Sequence, residues 1–490
     1  MRKAHASQLR LDASPVLEVQ LNLNCRDEVI PVLRALQHVY SQPQIRDEIL
    51  RLINQDVNGK SSRRFGREGM NYWEILVLAA VRLGCNYDYD KLQDLAENHR
   101  ALRQIMGLGD WDGEEFDARR IQDNITKLRP ETIQKINHLI VTAGCKLAPE
   151  AAETVRADSF VVETNIHYPT ESTLIRDGLR KVVKLCALMA GLLNVSGWRQ
   201  HRHLHRKAKK LSRKIERIAA RKGNNYKKRL QAAYGELLDL AGTITSRAHE
   251  LRKTAQTLAN IDGFEVSDLD RELERFLQRT EHVCGTARRR VLEGEDVPNS
   301  DKLFSIFETH TQLYKRGKAG EPIQFGRLVL VYEDGAGFIT DYSVLPREAH
   351  DRDVVIEQTR TLQDRLEGRI HSASFDRGFH SPENQEALAE IVAQPCLAMP
   401  GSQQSRAQEE QGGVAFHKAR QRHPGIESAI GALQCGNGLE RCRDRTEKGF
   451  DRYVGVAVLG RNLHVLGKLL IAAEQPKCRA ALSQRGQSAA

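Results

Sequence analysis

Three acidic residues, Asp158, Asp376 and Glu427, stand in local contexts that suit metal ligation. Asp158 lies within a short run rich in Val, Phe and Thr, from Thr154 to Val162, and Asp376 directly follows the strand-like run Ile370 to Phe375. Glu427 falls in the first turn of a helix opened by Pro424, a favourable early helix position. Two aspartates on neighbouring strands and a glutamate on a packed helix can converge on one point. Carboxylate oxygens are hard ligands that suit Mg²⁺ or Mn²⁺ better than zinc. Displacement at a phosphodiester needs the attacking oxygen activated and the leaving oxygen stabilised, and two metal ions about 4 Å apart do both. With 64 Asp and Glu in the chain, a single Asp after a strand is ordinarily a turn residue. The flanking motifs are what single these three out.

The elements that must position them follow from periodicity. Residues 27 to 145 repeat apolar residues at helical intervals, as in Trp73 to Leu83 and Tyr89 to Ala96, and Pro130 opens a further helix to about Val141. The spacing predicts an all-helical N-terminal domain over 1–150, open to DNA-end binding or to dimerisation. The Thr154–Val162 run predicts a buried strand. Helical spacing resumes near Leu174 and continues to about Thr280, with Leu230, Leu237, Leu238, Leu240 and Leu251 as an apolar stripe. From Phe325 the period becomes that of strands: Gly326 to Tyr332, a Gly335/Gly337 turn, then Phe338 to Leu345, a hairpin pattern. A helix over Asp353–Leu366, the strand Ile370–Phe375 and a helix over Pro382–Val392 follow. Ser402 to Gly413 reads as a polar loop, Tyr453 to Ala472 as a long apolar helix, and 476–490 as a disordered tail.

Lys and Arg outnumber Asp and Glu by 74 to 64, a net charge of +10, which favours a polyanionic partner. The excess is concentrated. Between Arg199 and Arg229 there are fourteen Lys or Arg, one Glu and three His. Arg206, Lys207, Lys209, Lys210, Arg213 and Lys214 form its densest part, and a phosphate backbone is the simplest compensation for so much like charge. A solvated helix face is the plainer alternative. No uninterrupted apolar run reaches the length of a membrane span, and no secretory signal follows Met1. The nine cysteines include no Cys-x-x-Cys pair, so reduced buried thiols are expected and structural zinc is not. These features predict a cytoplasmic protein with no membrane partner.

Three stretches carry a family resemblance. Arg156-Ala157-Asp158-Ser159-Phe160 and the residues through Thr170 resemble the first-aspartate region of bacterial insertion-sequence transposases with a DDE catalytic set. Asp376-Arg377-Gly378-Phe379 is similar to their Asp-x-Gly-aromatic motif, and Arg422-His423-Pro424-Gly425-Ile426-Glu427 resembles their glutamate helix, continued by Gly460-Arg461-Asn462-Leu463. Phe65-Gly66-Arg67-Glu68-Gly69-Met70 onward looks like their helical N-terminal region. The resemblance runs in patches from about residue 60 to 470, with the ISNCY-type grouping nearest. It implies an α/β, RNase H-like catalytic domain over 151–475 with a mixed five-stranded sheet. Residues 170–320 would be a helical basic insertion between its first two strands.

The resemblance further implies Mg²⁺ or Mn²⁺ at Asp158, Asp376 and Glu427, double-stranded DNA as partner (terminal inverted repeats and target), a homodimer in the synaptic complex, and a place at a prokaryotic nucleoid. Related groups carry a Tyr, an Arg and a Lys around the glutamate; here those places hold Arg420, His423 and Gln434. Arg422 stands one residue before the usual arginine, and Arg443 or Lys448 can take the lysine's part. Arg377 is a phosphate ligand or a surface helix cap. His167 and Tyr168 read as a packed strand end, and His350, His371 and His380 are not needed as bases where metal ions activate the nucleophile. Alternative readings are a metal-dependent nuclease of the same fold without strand transfer, a catalytically inactive DNA-binding derivative, and a basic helical scaffold.

Overall fold

The computed structural model describes residues 3–4, 13–58, 69–109, 113, 115–258, 264–315, 323–399, 401, 408 and 412–487. The Phe65–Glu68 motif and most of the Ser402–Gly413 loop lie outside them.

Seven helices come first: α1 (Val29–Tyr40), α2 (Pro43–Asn58), α3 (Tyr72–Gly84), α4 (Tyr89–Asn98), α5 (Arg100–Met106), α6 (Ala118–Ile125) and α7 (Pro130–Leu147). Strand β1 (Thr154–Thr164) follows, then α8 (Glu171–Leu192), α9 (His201–Arg221), α10 (Tyr226–Leu258) and α11 (Phe264–Ala287). Next come β2 (Gln312–Lys315), β3 (Ile323–Asp334), β4 (Ile339–Val344), α12 (Asp351–Arg365), β5 (Ser372–Phe375), α13 (Pro382–Ile391) and β6 (Gln394–Leu397). The chain closes with α14 (Gly413–Arg422), α15 (Ile426–Gly431), the two-residue β7 (Arg441–Cys442) and α16 (Glu447–Gln487).

The chain divides into two compact units, one made of Met1–Glu163 with Arg327–Ala490, the other of Thr164–Gly326. In the first, β1 is flanked by β3 on one side and by β5 on the other, β6 lies outside β5, and β4 lies outside β3. The β1–β5 and β5–β6 pairs are parallel, whereas β3–β4 is antiparallel. These five strands make the mixed sheet of an RNase H-like fold. The sequence-based count of five is short by two: β7 pairs with β1, and β2 pairs with the opening of β3. Strands β2, β6 and β7 span four residues or fewer, too short for any alternation to show in the sequence.

The core of this unit is shared by the N-terminal helices, β3, β4 and α16. Helix α3 opens with a reciprocal Asn71/Glu74 cap, and every residue from Tyr72 to Gly84 is buried. Its Arg82 is buried too, and meets Asp444 at 2.8 Å with its guanidinium over Tyr89. Helix α16 crosses α3 at Gly84 and Gly460, where a Cβ on Gly460 would collide with the Gly84 backbone. Asn462 then caps the open side of β4, accepting from the Ile339 N–H at 2.8 Å and donating to its carbonyl at 3.0 Å. The stretch Glu447–Gln475 is long and apolar enough to cross a bilayer, but 72% of its most apolar window is buried, as befits a core helix. Its backbone continues as helix through Gln487, past the point where the apolar pattern stops.

The second unit packs α8 to α11 around one apolar core containing Leu179, Val183, Leu237, Ile244 and Leu277. Helix α8 starts at Thr170, whose hydroxyl accepts from the Thr173 N–H. Helix α9 turns Leu204, Ala208, Leu211, Ile215 and Ile218 toward that core and leaves its cations on the other side.

Candidate active site

Asp158 and Asp376 are brought side by side by strand register. The β1–β5 pair aligns Arg156 with Ser374 and Ala157 with Phe375, so the next positions on the two strands are Asp158 and Asp376. In-register residues of parallel strands share a face at about 4.8 Å between strands. Asp158 is half-buried, and one carboxylate oxygen accepts from the Ser159 N–H at 2.7 Å, which fixes its direction. Asp376 directly follows β5, stands at the head of the turn Arg377–Phe379 without a side-chain cap bond, and is exposed.

Glu427 is an exposed residue in the first turn of α15. The turn His423–Gly425 leads into that helix and is held against the sheet face below the aspartates. The His423 ring nitrogen Nδ1 meets Ser374 Oγ at 3.2 Å, and the Arg156 guanidinium donates to the Arg422 carbonyl at 3.0 Å. Burial holds the His423 imidazole below its ordinary value; the Asp376 carboxylate pulls the other way, and Arg420 and Arg156 push it lower. A cavity of about 640 Å³ opens on the same face, lined by Arg156, Glu333, Ser374, Lys418 and Arg422 among others.

Among the described residues no three His, Cys, Asp or Glu side chains stand close enough together to hold a metal ion as they are. The donor chemistry of these three residues nevertheless suits such an ion. Two carboxylates lie in register on adjacent strands, and a third is carried by a helix anchored to the same two strands. All of these donors are hard oxygens, suited to Mg²⁺ or Mn²⁺.

The phosphate-binding candidates fall into three groups. Arg377, Arg422 and Lys448 are exposed. His423 is only 7% exposed and faces β5, and Arg443 spends its guanidinium on Tyr453 Oη at 3.0 Å and Asn86 Oδ1 at 2.7 Å. In the second unit Arg206, Lys207, Lys209, Lys210, Arg213 and Lys214 are all exposed along α9, with Lys214 paired to Glu236 at 2.7 Å.

Sequence reasoning passed over Asp351, whose carboxylate accepts from Ser159 Oγ at 2.8 Å at the start of α12. It also gave no role to Arg156 or Ser374. Arg156 was visible two residues before Asp158, which puts both on one face of a strand; its partners were not.

Residues 302–461 match the family model of the transposase DDE domain. No curated protein and no solved structure matches the chain. The matched segment runs from before β2 into α16 and contains Asp376 and Glu427, and Asp158 joins them through the β1–β5 pairing. An RNase H-like sheet carrying Asp158 on β1 and Asp376 just after β5, together with this match, points to the class of transposase DDE domains. Residues 302–461 are thus similar to the DDE domain of transposases.

Proposed function

We propose that this chain is a DDE transposase, of ISNCY-type or a closely related group, that binds the terminal inverted repeats of its element. It cleaves phosphodiester bonds there and joins the freed 3′-OH to target DNA. The observation carrying this reading is the register that sets Asp158 beside Asp376. Asp158, Asp376 and Glu427 would hold Mg²⁺ or Mn²⁺ ions, which when bound activate the attacking oxygen and stabilise the leaving one. The chain's own part is to fix the direction of its carboxylates: the Ser159 N–H orients Asp158, and the anchored turn at 422–425 presents Glu427. Exposed Arg377 and Arg422 bind DNA phosphates close to the acids, Lys448 binds others, and the cations of α9 bind further phosphates of the backbone. Joining two element ends calls for two protomers, so a homodimer forms the synaptic complex, acting at the nucleoid.

Single Asp158→Ala, Asp376→Ala and Glu427→Ala variants should lose Mg²⁺-dependent end cleavage by about three orders of magnitude or more, as expected for groups acting as a unit. End binding in a mobility-shift assay should hold. Persistent cleavage in any of the three removes that residue from the site. A strand-transfer assay with paired ends separates transposition from simple nuclease action.

A further inference from the structure

Resting on that reading of Glu427, we propose that Arg156 and Ser374 are the positioning residues that set Glu427 against the two aspartates. They are cross-strand partners, one register step of two residues below Asp158 and Asp376 and on the same sheet face. Each holds a different residue of the turn that enters α15. Arg156 donates to the Arg422 carbonyl at 3.0 Å, and Ser374 Oγ lies 3.2 Å from His423 Nδ1.

Arg156 is itself fixed. Its Nε donates to Glu333 at 2.6 Å, and Glu333 is a carboxylate with only 4% of its side chain exposed on β3. A charge-assisted bond to so buried a partner holds the guanidinium in one place. The turn fits around it closely enough that a Cβ on Gly425 would strike Arg156 Nη1. Gly425 has an ordinary helical backbone, so what a side chain there would meet is the guanidinium, which would have to shift, and not a forbidden dihedral. The two strands that carry the aspartates therefore also carry the clamp for the glutamate. One rigid pair of strands sets all three carboxylates.

The test uses the full chain, a labelled DNA end and Mn²⁺ as the varied ion, with Arg156→Lys and Gly425→Ala. Lysine keeps a charge for Glu333 but replaces the two separate donor atoms, Nε and Nη1, with a single nitrogen, and alanine at 425 displaces the guanidinium. Each should slow cleavage by about 10- to 100-fold, the scale of a small misplacement of a catalytic group. Each should also raise the Mn²⁺ concentration for half-maximal cleavage several-fold, with DNA-end affinity and thermal midpoint close to the parent. Because both act through one guanidinium, the double variant should be no slower than the slower single. Ser374→Ala, which removes a single hydroxyl, should move the Mn²⁺ dependence the same way on a folded protein. Parent-like Mn²⁺ dependence in these variants, or losses that multiply in the double, overturns the clamp. Glu427→Ala run alongside keeps the two claims apart. If it cleaves like the parent, the Glu427 reading fails. If it is dead while Arg156→Lys and Gly425→Ala behave as the parent, only the clamp fails.

Discussion

Asp334, in the turn from β3 to β4, shows how burial decides a charge. Burial pushes its carboxyl up to about 7, although the backbone N–H groups of Phe338, Ala336 and Gly337 favour the ion. The native state thus holds this proton more tightly than an unfolded chain, whose value is 3.8. Between those values the native state binds more protons, so this residue's effect on stability falls as pH rises. Asp334→Asn keeps an acceptor for the 2.9 Å bonds from Ala336 and Phe338 and removes the ionisation. Its thermal midpoint relative to the parent should therefore climb from pH 5 to pH 8. A flat or falling difference means that the backbone donors, and not burial, dominate at this carboxyl.

At the scale of elements, α16 approaches α3 backbone to backbone. Gly460→Ala should destabilise by about 1–3 kcal/mol through overpacking against Gly84, even though alanine is the better helix former by about 1 kcal/mol. Gly242→Ala, in α10 with nothing near its Cβ position, should stabilise by up to about 1 kcal/mol. Thermal melts of the two, read side by side, separate space from propensity; equal shifts would refute the close crossing. Such crossings explain what the sequence could and could not reveal. Helices α3, α7 and α8 to α11, the β3–β4 hairpin and the strands under both aspartates were legible because each repeats its apolar residues with a clear period. The apolar faces of α1, α3 and α7 gave no sign that their partner is α16, since periodicity marks a buried face without naming what covers it. At the site, residue type and local context singled out the acids, but their alignment depends on register between β1 and β5. The Arg156 and Ser374 hydrogen bonds join segments far apart in sequence, and no local pattern encodes them.

Taken whole, the molecule keeps its carboxylates in one unit and its densest positive charge in the other. Replacing Lys207, Lys210 and Arg213 together with Gln should weaken DNA binding about equally for end and unrelated sequences. It should also flatten the slope of log Kd against log salt by roughly one for each phosphate that is no longer neutralised. Cleavage per bound complex should stay near the parent, and an unchanged salt slope would make α9 a solvated face and nothing more. The division into units also dictates an order of assembly. Residues 164–326 form a unit continuous in the chain, whereas the other unit needs both Met1–Glu163 and Arg327–Ala490. On the ribosome the helical bundle can therefore close while α1, α3 and α7 still wait for α16, which emerges after everything it must cover. Until then the apolar faces of α1 and α3 are open, so a chaperone that captures nascent apolar surface has its longest opportunity at the N-terminal helices, and a chain stopped short of Glu447 would present them indefinitely.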